Sequence, residues 1–384
     1  MLRALSLAMA LACAAMPALS QEAFYTPTEA ELAGAPGTII RQRQMLDAPE
    51  GATAHLVLYR STGLNGEPIA VSGVVIIPNN EVPRDGRPIV AWGHPTTGVA
   101  DTCAPSLSPL QYAELPGVAQ MLERGYIIAA TDYPGLGTPG VHPYIVGISE
   151  GRAVLDSIRA AQAIAGSQAT DRVALWGHSQ GGHASIWASL LAPDYAPEFT
   201  IEGIALAAPA TELVTLIRDD APTDDGKYLS ALAVWSWSQV YAMPIENVVE
   251  ADMLPVVNDV VTYCDSTIRG LIGQRADDRL LDAGFLSVDI TTTQPWEGHL
   301  ADNTPGPTPA GIPVFIAQGT ADQVVDPPVT QNYFDNLCAA GRTATLHIMP
   351  GIDHDRAGIA AAATAVAWIA DRFAGTAAPN GCPG

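Results

Sequence analysis

The chain has 384 residues, a formal net charge of −22 and 48% hydrophobic residues, enough apolar material for a large core. So acidic a chain is a poor partner for nucleic acid or anionic lipid surfaces. No apolar run reaches the roughly 20 residues that a bilayer-spanning mature helix needs, so contact with a lipid interface would be transient.

Residues 1–20 read as a signal peptide. Arg3 gives the positive start, Ala4 to Met16 the apolar stretch, and Ala18-Leu19-Ser20 the small residues of a cleavage site. A cut after Ser20 implies a secreted or periplasmic protein and leaves the mature chain more negative by the loss of Arg3. A lipoprotein signal acylated at Cys13 is the alternative. Glu22 to about Gly51 reads as an irregular leader. His55–Tyr59 and Ile69–Ile77 are β-rich and flank Asn65-Gly66, a dipeptide suited to a hairpin turn.

From Arg87 strands alternate with helices. Strands are expected at Pro88–Trp92, Tyr126–Thr131, Arg172–Trp176, Ile201–Ala208, Pro313–Gln318 and Thr345–Met349. Helices are expected at Ser149–Ala165, Gly181–Leu191 and Ile359–Phe373; the first carries Ala153, Leu155, Ile158, Ala161 and Ile164 at helical spacing. This alternation predicts an α/β fold, a mostly parallel sheet with helices on both faces. It stops between about residues 211 and 311, which reads as a cap or lid inserted into a single domain over 21–384. Trp235, Trp237, Tyr241 and Met243 lie there, as a small core of their own and as lining for a pocket.

Beyond the leader the cysteines are Cys103, Cys264, Cys338 and Cys382. Export is an oxidising context, and four cysteines allow three pairings. Cys103–Cys264 with Cys338–Cys382 is favoured, because it ties the insert to the body and the Gly/Pro-rich tail to the core. No pair has the short C-x-x-C spacing of a structural zinc site, so no metal is expected.

The pattern G-x-S-x-G occurs twice, at Gly147-Ile148-Ser149-Glu150-Gly151 and at Gly177-His178-Ser179-Gln180-Gly181. A nucleophile elbow needs a strand, a sharp turn and then a helix. Only Ser179 has both, between Arg172–Trp176 and Ala184–Leu191. Ser149 follows a loop containing Pro143 and is expected to cap the N-terminus of its helix.

A serine needs a base to activate it, and the base needs an orienting acid; in an α/β-hydrolase the chain order is Ser, acid, His. Asp322 follows the strand ending at Gln318 and is preferred over Asp326 as the acid. His354 sits in the loop after Thr345–Met349 and is the expected base. His347 lies within that strand, and His299 precedes the acid in the wrong order. Asp353 and Asp355 read as solvated or capping residues. The oxyanion hole would use the backbone N–H of Gln180 and one from Gly93-His94-Pro95-Thr96-Thr97-Gly98, where Pro95 has no N–H. Thr96 is chosen, with Thr97 behind it.

These pieces resemble the secretory lipase family of α/β-hydrolases, which includes fungal lipase A-type enzymes and bacterial relatives. The likeness rests on Gly93–Gly98 running into Cys103-Ala104-Pro105-Ser106, on Asp132-Tyr133-Pro134-Gly135-Leu136-Gly137, and on Ser149-Glu150-Gly151-Arg152. It continues through the Ser179 elbow, Gly319-Thr320-Ala321-Asp322 and the His354 loop, nearly the whole mature chain. It implies a Ser179, Asp322 and His354 triad, a cap between sheet strands, a disulfide from Cys103 into the cap, and hydrolysis of carboxylic esters or acylglycerols. Pro95 departs from the glycine expected in a His-Gly loop, which bears on the oxyanion donor. The mechanism requires no cofactor. The competing readings are a serine peptidase or amidase of the same fold, disfavoured by the lack of a propeller-length N-terminal region, and a non-catalytic binding protein.

Overall fold

The computed structural model of the chain describes residues 21–264 and 284–383. The expected leader Met1–Ser20, with its expected cleavage site, lies outside them, as does part of the expected insert.

Two short helices, α1 (Gln21–Tyr25) and α2 (Glu29–Leu32), precede β1 (Ile39–Gln44), β2 (Ala52–Thr62) and β3 (Pro68–Pro78). Glu22 to Gly51 is therefore not an irregular leader: β1 pairs antiparallel with β2, Ile39 opposite Tyr59 and Gln44 opposite His55. Ile39-Ile40-Arg41-Gln42-Arg43-Gln44 lacks apolar alternation because β1 is an edge strand, no residue of which is fully buried. It is held from outside the sheet, where Arg41 reaches Glu31 at 2.7 Å and the carbonyls of Ala23 and Phe24.

The chain continues through β4 (Arg87–Gly93), α3 (Val118–Glu123), β5 (Ile127–Thr131), α4 (Gly147–Ala163), β6 (Ala169–His178), α5 (Gln180–Tyr195) and β7 (Thr200–Ala207). The segment between β7 and the next strand carries α6 (Leu213–Asp220), α7 (Asp224–Val240), α8 (Leu254–Val260) and α9 (Trp296–Asn303). Then β8 (Val314–Gly319), α10 (Pro327–Ala339), β9 (Ala344–Met349) and α11 (His354–Phe373) complete the fold. The nine strands form one sheet in the order β1-β2-β3-β5-β4-β6-β7-β8-β9, antiparallel from β1 to β5 and parallel across the rest.

Strand alternation divides the core between the two faces. Val90, Trp92, Trp176 and Phe315 pack on one side, under α11 with Trp368 and Ile369. Ile89, Val173, Leu175 and Ile316 pack on the other, under α4, α5 and α10. Each large apolar side chain buried in this way contributes roughly 1.5–3 kcal/mol. Helices α6 to α9 hold a third core around Trp237, Val234, Val257, Trp296 and Leu300, joined by Tyr144 and Ile145. The insert thus has its own packing and is seated on the loop before α4.

Two disulfides fasten the periphery. Cys103 bonds Cys264, linking the loop after β4 to the segment after α8, and Cys338 bonds Cys382, linking the end of α10 to the C-terminal tail.

Candidate active site

Strand β6 ends at His178 and α5 begins at Gln180, so Ser179 makes the whole turn by itself. Its φ of 54° and ψ of −119° lie where a side chain is seldom tolerated. The turn closes because its neighbours lack side chains. A Cβ on Gly177 would stand 2.0 Å from the Gly181 carbonyl oxygen, and one on Gly181 would stand 1.9 Å from that of Gly93. Ser179 N–H donates to Ala207 O at 3.0 Å, and its carbonyl accepts from Ala210 at 3.2 Å, which locks the turn to the end of β7.

Asp322 follows β8 and His354 follows β9, so all three residues stand at the C-terminal ends of the parallel strands β6, β8 and β9. His354 Nε2 lies 2.8 Å from Ser179 Oγ, and His354 Nδ1 lies 2.9 Å from Asp322 Oδ2. Asp322 Oδ1 accepts from the N–H groups of Val324 at 3.0 Å and Val325 at 2.8 Å, and Gln318 Nε2 donates to Oδ2 at 3.2 Å. Burial opposes ionisation of this carboxyl, but the hydrogen bond and charge of His354 and the two N–H groups outweigh it and hold Asp322 below the usual carboxylate range. An ionised Asp322 can only accept, so His354 carries its proton on Nδ1 and leaves Nε2 free to accept from the serine.

The structure separates the sequence candidates. Asp326 is exposed at the N-cap of α10 and does not reach His354. His347 is exposed on edge strand β9 against Phe315, and His299 stacks on Tyr241 in the insert. Asp353 caps α11, accepting from Arg356 N–H, so that helix begins at His354 rather than at Ile359. Ser149 is not the N-cap of its helix. That position is Val146, and Ser149 lies in the first turn with its buried hydroxyl unpartnered. The second G-x-S-x-G serves packing: Gly151 brings α4 onto the backbone of α5 at Ala188, and Gly147 meets Trp187.

Gln180 is the first residue of α5, so its N–H has no intrahelical acceptor. Thr96 lines a cleft with Ser179, His354 and Pro95, and its hydroxyl meets Tyr144 Oη at 2.9 Å. Thr97 stands behind, in an adjoining cavity with its buried hydroxyl unpartnered. A mostly apolar cavity, walled by Leu213, Leu216, Ile217, Leu229 and Trp237, also reaches Ser179.

Two supporting groups escaped the sequence reading. His178 is buried, and burial together with the charge of His354 pushes its pKa down to about 3. It is neutral, and its Nε2–H donates to the His354 carbonyl at 3.0 Å, pinning the backbone of that histidine. Beneath the elbow, Glu150 accepts from Gln180 Nε2 at 2.6 Å and from Ile145 N–H at 2.9 Å, and pairs with His183 Nδ1 at 3.0 Å. His183 Nε2 donates to Asn303 O at 2.8 Å, and Asn303 Oδ1 accepts from Gly147 N–H at 3.0 Å, so the end of α9 is fastened under α4 and α5. His178 and Gln180 are the variable positions of the elbow pattern, and Glu150 that of the decoy, but nothing local to them names their partners.

A nine-stranded sheet bearing such an elbow, with acid and histidine following in order, defines an α/β-hydrolase. The family model of the secretory lipases matches residues 104–381, and the chain belongs to that family. Among curated relatives, Lipase A of Arthroderma benhamiae is 26% identical over 94% of this chain and 81% of its own length. A protein of Mycobacterium tuberculosis named "Probable inactive lipase" is 29% identical over 93% of this chain and 82% of its own. Among solved structures, Candida antarctica lipase A in its closed state superposes with a TM-score of 0.76 at 21% identity, covering 94% of this chain and 87% of that one. The rice cell wall degrading esterase LipA from Xanthomonas oryzae gives 0.72 at 19% identity, covering 89% and 99%. The chain is thus a hydrolase of the lipase and esterase kind. Family and disulfides fit an extracellular protein, and among the described residues no helix is long and apolar enough to cross a membrane.

Proposed function

We propose that this chain is an exported serine carboxylic-ester hydrolase, released from a leader cut after Ser20, that cleaves esters or acylglycerols through an acyl-enzyme. The observation that carries this reading is the unbroken Asp322–His354–Ser179 hydrogen-bonded chain at a strained elbow.

His354 Nε2 takes the Ser179 proton as Oγ attacks the ester carbonyl carbon. Asp322 holds the imidazole in the receptive tautomer and stabilises its cation. The N–H groups of Gln180 and Thr96 receive the tetrahedral oxyanion; removing one such donor typically costs about 10² to 10³ in turnover. The imidazolium then protonates the leaving alcohol, and water, deprotonated by the same histidine, releases the acid. The apolar cavity beside Ser179 holds the acyl chain, and helices α6 to α9 form the cap over it.

Ser179→Ala tests the mechanism, in an assay with p-nitrophenyl butyrate and a peptide anilide. The expected outcome is ester turnover without anilide turnover, and a loss of about 10⁶ in kcat in the variant. Ester hydrolysis unchanged in Ser179→Ala, or a folded wild type inert on every ester as the name of the mycobacterial relative suggests for that protein, would sink the reading.

A further inference from the structure

The cavity beside Ser179 has one wall residue that a hydrocarbon chain does not account for. Asp220, the last residue of α6, lines it together with Leu213, Leu216, Ile217 and Leu229. The residue is only 8% exposed. Its backbone carbonyl accepts from the N–H and the hydroxyl of Thr223, at 2.8 and 2.9 Å, but no hydrogen bond or ion pair from the described residues reaches its carboxyl group.

Placing a carboxyl here runs against local chemistry. The C-terminal end of a helix carries partial negative charge and disfavours another anion. The charges acting on the group are themselves acidic: Asp326, Asp219, Asp322 and Asp225. Burial first, and these neighbours next, push its pKa up to about 7. The position is nevertheless fixed. Gly226, in the first turn of α7, packs so closely on residue 220 that a Cβ there would meet the Asp220 carbonyl oxygen at 2.0 Å. A pocket built for hydrocarbon alone would be more stable with leucine or alanine at 220, because a buried polar group without a partner costs free energy. The carboxyl faces the cavity without a donor from the described residues, so what the cavity binds can supply the partner.

Resting on the reading of this cavity as the acyl site, we propose that Asp220 is a specificity residue that selects acyl chains bearing a hydroxyl group over the plain hydrocarbon chain of equal length. The hydroxyl donates to the carboxylate, or accepts from the carboxylic acid when the group is protonated. An unsubstituted chain leaves the carboxyl buried and unpaired. A site that hydrogen-bonds a substrate hydroxyl rejects the analogue lacking it, because its own polar group is then left without a partner.

The test is the ratio of kcat/KM for hydroxylated and unsubstituted methyl octanoate, with the hydroxyl at carbon 3, 5 or 8 and with 8-aminooctanoate as a cationic comparator. Wild type is expected to favour at least one hydroxyoctanoate by tenfold or more. Asp220→Leu and Asp220→Ala should bring that ratio to one or below, and Asp220→Asn, which can still donate and accept, should keep most of it. A ratio of two substrates on one preparation is independent of the fraction folded, so a poorly folding variant still reports. Preference for unsubstituted octanoate in wild type, a ratio unmoved in Asp220→Leu, or stronger preference for the amino ester would each overturn the assignment. If p-nitrophenyl butyrate is hydrolysed while the hydroxyl ratio stays at one, only this inference fails; if no ester is turned over, the ester-hydrolase reading fails with it.

Discussion

Replacing Asp322 by Asn exchanges an oxygen for an NH₂ group and reverses the hydrogen-bond logic of the site. Oδ1 faces the N–H groups of Val324 and Val325, so an amide must keep its oxygen there. Its NH₂ then occupies the place of Oδ2, facing His354 Nδ1 at 2.9 Å. The amide donates to Nδ1, and the imidazole proton moves to Nε2. That nitrogen lies 2.8 Å from Ser179 Oγ and can no longer accept the serine proton. On the proposed mechanism the expected loss is about 10⁴ in kcat, as in Ser-His-Asp enzymes, or about 5 kcal/mol of transition-state stabilisation. The assay is p-nitrophenyl butyrate turnover on variants whose circular dichroism matches wild type. Asp326→Asn is the control and should stay within about twofold, because Asp326 is an exposed residue outside the hydrogen-bonded chain. An Asp322→Asn enzyme retaining more than about a tenth of the activity, or an equal loss in Asp326→Asn, would refute the reasoning.

The buried carboxyl of Asp132 accepts from Ser106 N–H at 2.9 Å and from the hydroxyls of Ser72 and Ser106, yet burial pushes its pKa up from 3.8 to about 6. The folded chain therefore keeps a proton that the unfolded chain releases, and this group's contribution to stability falls as pH rises from about 4 to about 6. The stability gap between wild type and Asp132→Asn in urea should narrow by about 3 kcal/mol between those limits, and a constant gap would contradict the assignment. Cys382→Ser opens a disulfide with a sequence separation of 44 and should lower stability by about 4 kcal/mol, read as a guanidinium midpoint equal to that of a Cys338→Ser, Cys382→Ser double variant. Gly177→Ala forces a Cβ to 2.0 Å from the Gly181 carbonyl oxygen and should yield no folded enzyme. Gly306→Ala, where nothing lies within 4 Å, should express normally; equal yields of the two would remove the steric account of the elbow.

The parallel half of the sheet was legible because its strands are buried on both faces and write their burial as short apolar runs, such as Arg172–Trp176 and Pro313–Gln318. Strand β1 was not, since an edge strand answers to partners outside the sheet, here Glu31 and the backbone near Phe24. Ser179, Asp322 and His354 could be named as candidates because their order and their position after strands follow from the fold, and the structure brings the three within hydrogen-bond distance. Ser149 lies three positions past the N-cap of its helix, because its neighbours Gly147 and Gly151 are small for the sake of α5 and not for a capping turn. His178, Glu150 and Asp220 could not be assigned from sequence: their partners, or the lack of any, lie in elements far along the chain.

The fastening of α9 bears on how such enzymes can be diversified. Among the described residues, the segment between β7 and β8 is held to the rest of the chain by Cys264 on Cys103, by Ser236 and Trp237 on the backbone of His142 and Tyr144, and by Asn303 on Gly147, His183 and Trp187. All of these attachments lie outside the apolar wall formed by Leu213, Leu216, Ile217 and Leu229. A chimera carrying this segment from another family member has to keep the cysteine, the Ser236 and Trp237 contacts and the asparagine in register, while the wall of α6 stays open to a different appetite for substrate.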